Sequence, residues 1–151
     1  MMKKHTLALG LTAALGFSST ALASEATLPS VHVYKSPTCG CCTAWMDHLK
    51  ENGFEVTATN SNNMGQIKAD AGLIPGLGSC HTAYVGDYVV EGHVPAEDIK
   101  QLLTEAPMAT GLSVPGMPAG SPGMEMGNRQ DHYQVILFNN RGQTRVFAEH
   151  N

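Results

Sequence analysis

The chain has 151 residues and a formal net charge of −4. That is long enough for one domain with a real core, and too poor in basic residues to lay down a nucleic-acid-binding stripe. Its four cysteines fall into two short clusters, Cys39-Gly40-Cys41-Cys42 and Cys80, whereas a structural disulfide framework would scatter them.

The chain opens with Lys3 and Lys4 as a positive n-region, Leu7 to Phe17 as a short apolar h-region, and Ala21-Leu22-Ala23 as a small-x-small cleavage site. These are the parts of a secretory signal peptide, residues 1–23, which leaves a mature chain of residues 24–151. The apolar run is shorter than the roughly 20 residues a spanning helix needs. No membrane association is therefore expected after cleavage. The short signal with paired lysines has a bacterial look, so the expected destination is the periplasm. That compartment is oxidising, and thiols there pair unless a metal holds them or they cycle through a disulfide.

Val31 to Lys35 reads as a buried strand, and Ser36-Pro37-Thr38 turns out of it. A helix is expected from about Cys41 to Asn52, because Cys42, Trp45, Met46 and Leu49 recur at helical spacing and Gly53 supplies a stop. Phe54 to Thr59 alternates as a second strand. A short helix follows around Met64 to Ala71, then a loop from Leu73 to Ser79. Thr82 to Val85 and Tyr88 to Glu91 form a hairpin across Gly86-Asp87. Pro95 opens a last amphipathic helix with Ile99, Leu102 and Leu103 facing inward, ending before Pro107. The order βαβα–ββα over residues 30–106 is the plan of a thioredoxin-like α/β domain. That plan places a CxxC-type segment between the first strand and the first helix.

Residues 107–127 differ in character. Pro107, Pro115, Pro118 and Pro122, five glycines, and Met108, Met117, Met124 and Met126 crowd into this stretch, so neither a helix nor a central strand is expected. Residues 128–151 read as an extra β-hairpin, Tyr133 to Phe138 and Thr144 to Ala148, around Asn140-Arg141-Gly142.

At a helix start, free N–H groups and the positive end of the dipole favour thiolates, which are both nucleophiles and metal ligands. Cys39 and Cys42 have the spacing of a redox disulfide, but Cys41 is surplus to a dithiol. Cys80, followed by His81, precedes the third strand and in a thioredoxin-like plan converges on the first cluster. Thiolates with an imidazole select Cu(I), with zinc the main competitor. Ligands at 39, 41 and 42 are tighter than the usual zinc clamp. They favour a thiolate-bridged cluster of several Cu(I) ions over a single closed site. Two plain structural disulfides remain an alternative, although Cys41 and Cys42 are neighbours and do not easily pair with each other.

The residues resemble the CopG-type periplasmic copper-resistance proteins, a family long catalogued as a domain of unknown function. The resemblance rests on Tyr34-Lys35-Ser36-Pro37-Thr38-Cys39-Gly40-Cys41-Cys42 with Trp45, and on Ser79-Cys80-His81-Thr82-Ala83. It continues in Val90-Glu91-Gly92-His93-Val94-Pro95-Ala96, in Val114-Pro115-Gly116-Met117-Pro118, and in Gly120-Ser121-Pro122-Gly123-Met124-Glu125-Met126. It implies a thioredoxin-like fold, copper bound by the cysteine cluster, a role in copper tolerance, and a redox role toward copper.

The expected metal ligands are Cys39, Cys41, Cys42, Cys80 and His81, with His93, His132, Met117, Met124 and Met126 as weaker candidates. The bland role of His93 is a cap or core hydrogen bond. Thioethers are soft ligands, but methionines also fill gaps under irregular loops. Trp45 is expected in the core, where it could shield a metal. His48 is expected on an exposed helix face and His150 in a disordered terminus. The leading function is a copper-binding protein in copper resistance, which holds Cu(I) and couples its oxidation or reduction to the cysteines as a possible copper oxidoreductase. The alternatives are a thiol–disulfide oxidoreductase using Cys39 and Cys42, and a metallochaperone passing copper to other periplasmic copper-handling proteins.

Overall fold

Apolar alternation puts Val31, Val33 and Lys35 on the buried side of the first strand, β1 (Val31–Lys35), and this strand lies inside a seven-stranded sheet. The computed structural model describes residues 27–151, so the expected signal peptide lies outside the described residues. After β1 come α1 (Gly40–Glu51), β2 (Val56–Asn60), α2 (Met64–Asp70), β3 (His81–Val85), β4 (Tyr88–Glu91), α3 (Ala96–Glu105), β5 (Gly111–Ser113), β6 (Tyr133–Phe138) and β7 (Thr144–His150). The sheet order is β2-β1-β3-β4-β5-β6-β7. β1 runs parallel to β2 and antiparallel to β3, and β3 pairs antiparallel with β4 through the expected two-residue turn. Among the described residues no helix is long and apolar enough to cross a membrane.

Helical spacing in α1 and α3 turns Trp45, Leu49, Ile99 and Leu102 onto Val31, Val33, Ala83 and Val85, and these side chains form the main core. A smaller cluster of Ala71, Leu77, Val89 and Phe138 forms apart from it. Burial of side chains of this size contributes roughly 1.5–3 kcal/mol each before the entropy of ordering is set against it. β-Alternation in β3 therefore decides the placement of the site. Ala83 and Val85 face the main core, and His81, two residues earlier, shares that face.

Three expectations are corrected. The 107–127 segment does contain a central strand: β5 is hydrogen-bonded parallel to β4 and antiparallel to β6. Its prolines flank the strand at 107 and 115 and leave Gly111-Leu112-Ser113 free to donate. Gly111 is required there, because a Cβ would collide with the Val89 backbone. The extra hairpin is thereby joined to the main sheet. His48 is half-buried, and its Nε2 accepts the N–H of Ala96 at 3.1 Å, which satisfies one orphan donor at the start of α3. His150 is ordered at the end of β7, where its Nε2 lies 2.7 Å from the buried Asp98 carboxylate and its ring stacks on Tyr133.

Candidate metal centre

The turn that leaves β1 is closed by the Cys39 N–H donating to the Ser36 carbonyl at 3.2 Å. Cys39 is the N-cap of α1, extended at φ −79° and ψ 95°, with no side-chain cap. Cys41 and Cys42 then lie in the first turn, among backbone N–H groups that have no intrahelical acceptor and beside the positive end of the dipole. Helical spacing sends Cys42 inward with Trp45 and Leu49, while Cys39 and Cys41 stay half-buried. Cys80 stands immediately before β3 and meets them from across the sheet.

The four sulfurs form a closed ring. Cys39 and Cys42 are joined by a disulfide with Cα atoms 5.4 Å apart, and Cys41 and Cys80 are free thiols. Cys39 Sγ lies 3.4 Å from Cys41 Sγ, Cys41 Sγ 3.8 Å from Cys80 Sγ, and Cys42 Sγ 3.5 Å from Cys80 Sγ. Burial, reinforced by the neighbouring Cys41 sulfur, pushes the Cys80 thiol up to about 12. Without a cation it therefore holds its proton at neutral pH, and a metal that takes the thiolate releases that proton.

Two imidazoles complete the arrangement, and Cys80 belongs to both groups: its sulfur, His81 and His93 offer ligand atoms within 4.8 Å of one another. His93 Nδ1 lies 2.8 Å from the Pro122 carbonyl, which only accepts, so Nδ1 carries the proton. In the neutral ring the lone pair is then on Nε2, 3.0 Å from Cys80 Sγ. Burial keeps the ring neutral by lowering its pKa, against the opposing pull of the Pro122 carbonyl and Glu125. His81 Nδ1 is 3.3 Å from the same sulfur. Its pKa is held well below 6.5 by burial first, then by His93 and Lys68. Its Nε2 is buried without a hydrogen-bond partner. Trp45 packs on the His81 ring at 4.3 Å between centroids and donates Nε1–H to the Val94 carbonyl at 2.8 Å, so the indole walls off this side from water.

The structure thus brings together Cys39, Cys41, Cys42, Cys80, His81 and His93. His132 bonds Asn151 instead, and Met117 and Met126 are more than half exposed. The methionine-rich loop reaches the site through other atoms: the Pro122 carbonyl on His93, and Gly123 laid against the first turn of α1. A buried ionic group also supports the segment. Glu91 accepts Lys68 Nζ at 2.5 Å and the Ser79 N–H at 2.7 Å through Oε1, and the Thr82 hydroxyl at 2.6 Å through Oε2. From the other side, Ser79 donates its hydroxyl to the Gly116 carbonyl. The sequence reading missed Glu91, Lys68, Pro122 and Gly123 as parts of the site. For Glu91 a signal existed, a carboxylate in an otherwise apolar strand (Tyr88-Val89-Val90-Glu91); for Lys68 there was none.

Chemically, thiols that become thiolates, beside imidazoles that stay neutral, are the donors of a soft or borderline cation rather than of a hard one. The adjacent disulfide adds two-electron redox capacity at the same atoms.

Two solved structures resemble the chain. One, described as copper resistance protein CopG, Form 2, is 45% identical, with 82% of this chain and 99% of that one covered and a TM-score of 0.78. The other, Form 1 of a protein of the same description, is 46% identical over 82% and 98%, with a TM-score of 0.77. Residues 77–124 match the family described as a protein of unknown function, DUF411. No curated protein matches the chain.

Proposed function

The chain belongs to the family of CopG copper resistance proteins, and from that premise we propose that it holds copper through Cys39, Cys41, Cys42 and Cys80, with His81 and His93 as the nitrogen donors. The observation that carries this reading is the ring of four sulfurs in which Cys80 is shared with two neutral imidazoles. Such donors favour Cu(I), and sulfurs this close bridge ions better than they enclose one, so several ions per chain are expected. The strand order β2-β1-β3-β4, with the Cys39–Cys42 segment at the start of α1 just after β1, supports a thioredoxin-like core of residues 30–106. Residues 24–151 then form the mature domain, residues 107–127 the segment that adds β5 to the sheet and whose later part closes the site, and residues 1–23 the signal that sends the protein to the periplasm. Met117, Met124 and Met126 offer exposed or half-buried thioethers for capture or hand-over of the ion to another copper-handling protein.

The disulfide favours a second activity at the same atoms. Breaking the Cys39–Cys42 bond takes up two electrons and yields two thiolates, and two Cu(I) ions each release one electron on becoming Cu(II). Copper oxidation and disulfide reduction therefore balance within one site. A thiol–disulfide oxidoreductase acting on proteins would use the same bond but needs neither Cys41 nor Cys80.

The test is the metal content of the mature protein after reduction, anaerobic loading with Cu(I) and removal of loose metal. More than one copper per chain is expected, with large losses in Cys41→Ser and Cys80→Ser. Negligible retention, together with disulfide exchange that survives both substitutions, would move the assignment to the protein oxidoreductase.

A further inference from the structure

A sheet edge leaves backbone N–H and C=O groups open to a further strand, and chains ordinarily blunt such edges with charges, prolines or bulges. Among the described residues the sheet has two edges, β2 and β7. β7 is blunted: it carries Arg145 and Glu149, and its ladder with β6 has a bulge between Val135 and Ile136. β2 has none of these devices. Val56-Thr57-Ala58-Thr59-Asn60 holds no charge and no proline, its register with β1 is unbroken, and every residue after Val56 is exposed. The bonds at the two ends of the ladder fix which backbone groups face outward. The Val31 N–H donates to the Glu55 carbonyl at 2.7 Å, and the Ser61 N–H donates to the Lys35 carbonyl at 2.9 Å. The odd-numbered residues of β2 therefore turn their backbone groups toward β1, and by strand alternation Val56, Ala58 and Asn60 turn theirs away from it. The side chains of Thr57 and Thr59 share the opposite sheet face from Ala58, and their hydroxyls lie 2.9 and 3.1 Å from the two ring nitrogens of His32.

We propose that β2 is a self-association edge, and that its occupant is the β2 of a second copy of this chain, paired antiparallel about Ala58. The strand is self-complementary in that register. With Ala58 opposite its own copy, Val56 falls opposite Asn60 and Thr57 opposite Thr59. The residues with outward backbone groups then meet one another: Ala58 exchanges both bonds with its copy, and each Val56 does so with an Asn60. Thr57 and Thr59 take the non-hydrogen-bonded positions, where side chains approach most closely and threonine pairs are favourable. A slip of two residues in either direction leaves one outward residue of each β2 without a partner in the other. Charge also selects a second copy. The chain has a net charge of −4, so two copies repel unless they meet along an uncharged border, and the sequence from Val56 to Ile67 contains no charged residue. An oppositely charged partner of another kind would find no charge on this edge to recognise. β1 runs parallel to β2, so the two cysteine segments fall at opposite ends of the joined sheet, and the association does not rest on the copper reading.

The experiment is sedimentation velocity of the mature chain from about 1 µM to about 500 µM, where the mass should rise from that of one chain to that of two. Amide exchange followed by NMR supplies the register. The amides of Val56, Ala58 and Asn60 should slow about twofold or more between about 50 µM and about 500 µM, while the exposed amides of β7 should not change. Ala58→Pro removes an N–H that makes no bond within one copy, so its urea midpoint should stay near the wild type while the dimer is lost at every concentration. Ala58→Lys sets like charges directly opposite each other, so it should weaken association about tenfold or more in low salt and recover part of it in about 1 M salt. If Ala58→Pro fails to fold, Ala58→Lys carries the test. A chain that stays monomeric up to about 500 µM overturns the proposal, as does a dimer that survives both substitutions. Exchange at Val56, Ala58 and Asn60 that ignores concentration overturns the register and with it the edge. The dimer should form equally with and without copper, and one that forms only in the copper-loaded protein also overturns it.

Discussion

Gly123→Ala tests whether the methionine-rich loop is pressed onto the cysteine helix. Gly123 has φ +84°, and a Cβ there would lie 2.7 Å from the Cys41 carbonyl oxygen, 2.7 Å from the Trp45 amide nitrogen and 3.2 Å from the Trp45 Cα. All three are helix backbone atoms, so no side-chain rotation relieves the overlap and the loop must lift. The left-handed conformation alone costs alanine about 1–2 kcal/mol. Lifting also breaks the bond from His93 Nδ1 to the Pro122 carbonyl, about 1 kcal/mol more. A total loss of about 2–3 kcal/mol is expected in urea unfolding, read as a fall in midpoint at constant slope. Gly116→Ala is the control, because Gly116 is also left-handed at φ +70° but has open space where the Cβ would go. It should show the backbone cost and nothing more. The ring of His93 provides the second readout. Once the Pro122 carbonyl moves away, the Nδ1 proton loses its acceptor, so the ring ¹⁵N shifts should change in Gly123→Ala and not in Gly116→Ala. Equal stability losses in the two variants, with His93 unmoved in both, would refute the reasoning.

Glu91→Gln leaves the largely buried Lys68 ammonium without its carboxylate and weakens the anchor on Ser79, so a loss of about 3 kcal/mol is expected by chemical denaturation. A cost below about 1 kcal/mol would mean that the pair does not hold the Cys80 segment. For pH dependence, burial lowers the His48 pKa below 6.5, and its Nε2 must be unprotonated to accept the Ala96 N–H. As pH falls, the unfolded chain therefore binds this proton before the folded chain does. The stability this group contributes is complete above about 6.5 and is lost as pH drops through and below that value. The buried His81 and His93 act with the same sign. His48→Gln, which keeps a neutral acceptor, should flatten the loss of unfolding free energy between about pH 7.5 and about pH 5.5. A curve parallel to the wild type would rule out the cap.

What the sequence could reveal depended on the range of the interaction. Cys39, Cys41 and Cys42 are adjacent, and one helical period is enough to send Cys42 toward Trp45 while leaving the other two near the surface. Cys80 required only the position of the third strand, which its β-branched and aromatic residues mark. The place of His93 could not be read this way. It follows a hairpin, where a cap or a core bond is the ordinary role, and its contact with Cys80 depends on how the Gly92 turn brings the end of β4 back beside β3. β5 was hidden by the average composition of its surroundings, since four prolines and five glycines obscured three residues able to join the ladder. Lys68 and Glu91 are 23 residues apart and meet through the docking of α2, for which no local pattern exists.

The division of labour between the two cysteine segments explains why the site needs both. The α1 segment supplies three sulfurs within four residues, close enough for a disulfide and stabilised as anions by the start of the helix. Only its Cys42 is fully buried, however, and it has no nitrogen donor of its own. The β3 segment supplies one half-buried sulfur, costly to ionise and flanked by two buried imidazoles whose protonation is set by burial and by the Pro122 carbonyl. Cys80 therefore gives up its proton readily only when a cation or a fixed positive charge is present, whereas Cys39 and Cys42 can satisfy one another without either. The disulfide and the proposed copper-holding set share two of the four sulfurs, so the two cannot be fully formed at once. Any influence that favours thiolate at Cys39 and Cys42 works against the disulfide and for copper. On this reasoning the neutral tautomer of His93 and the loop pressed down at Gly123 act on a single equilibrium from two sides.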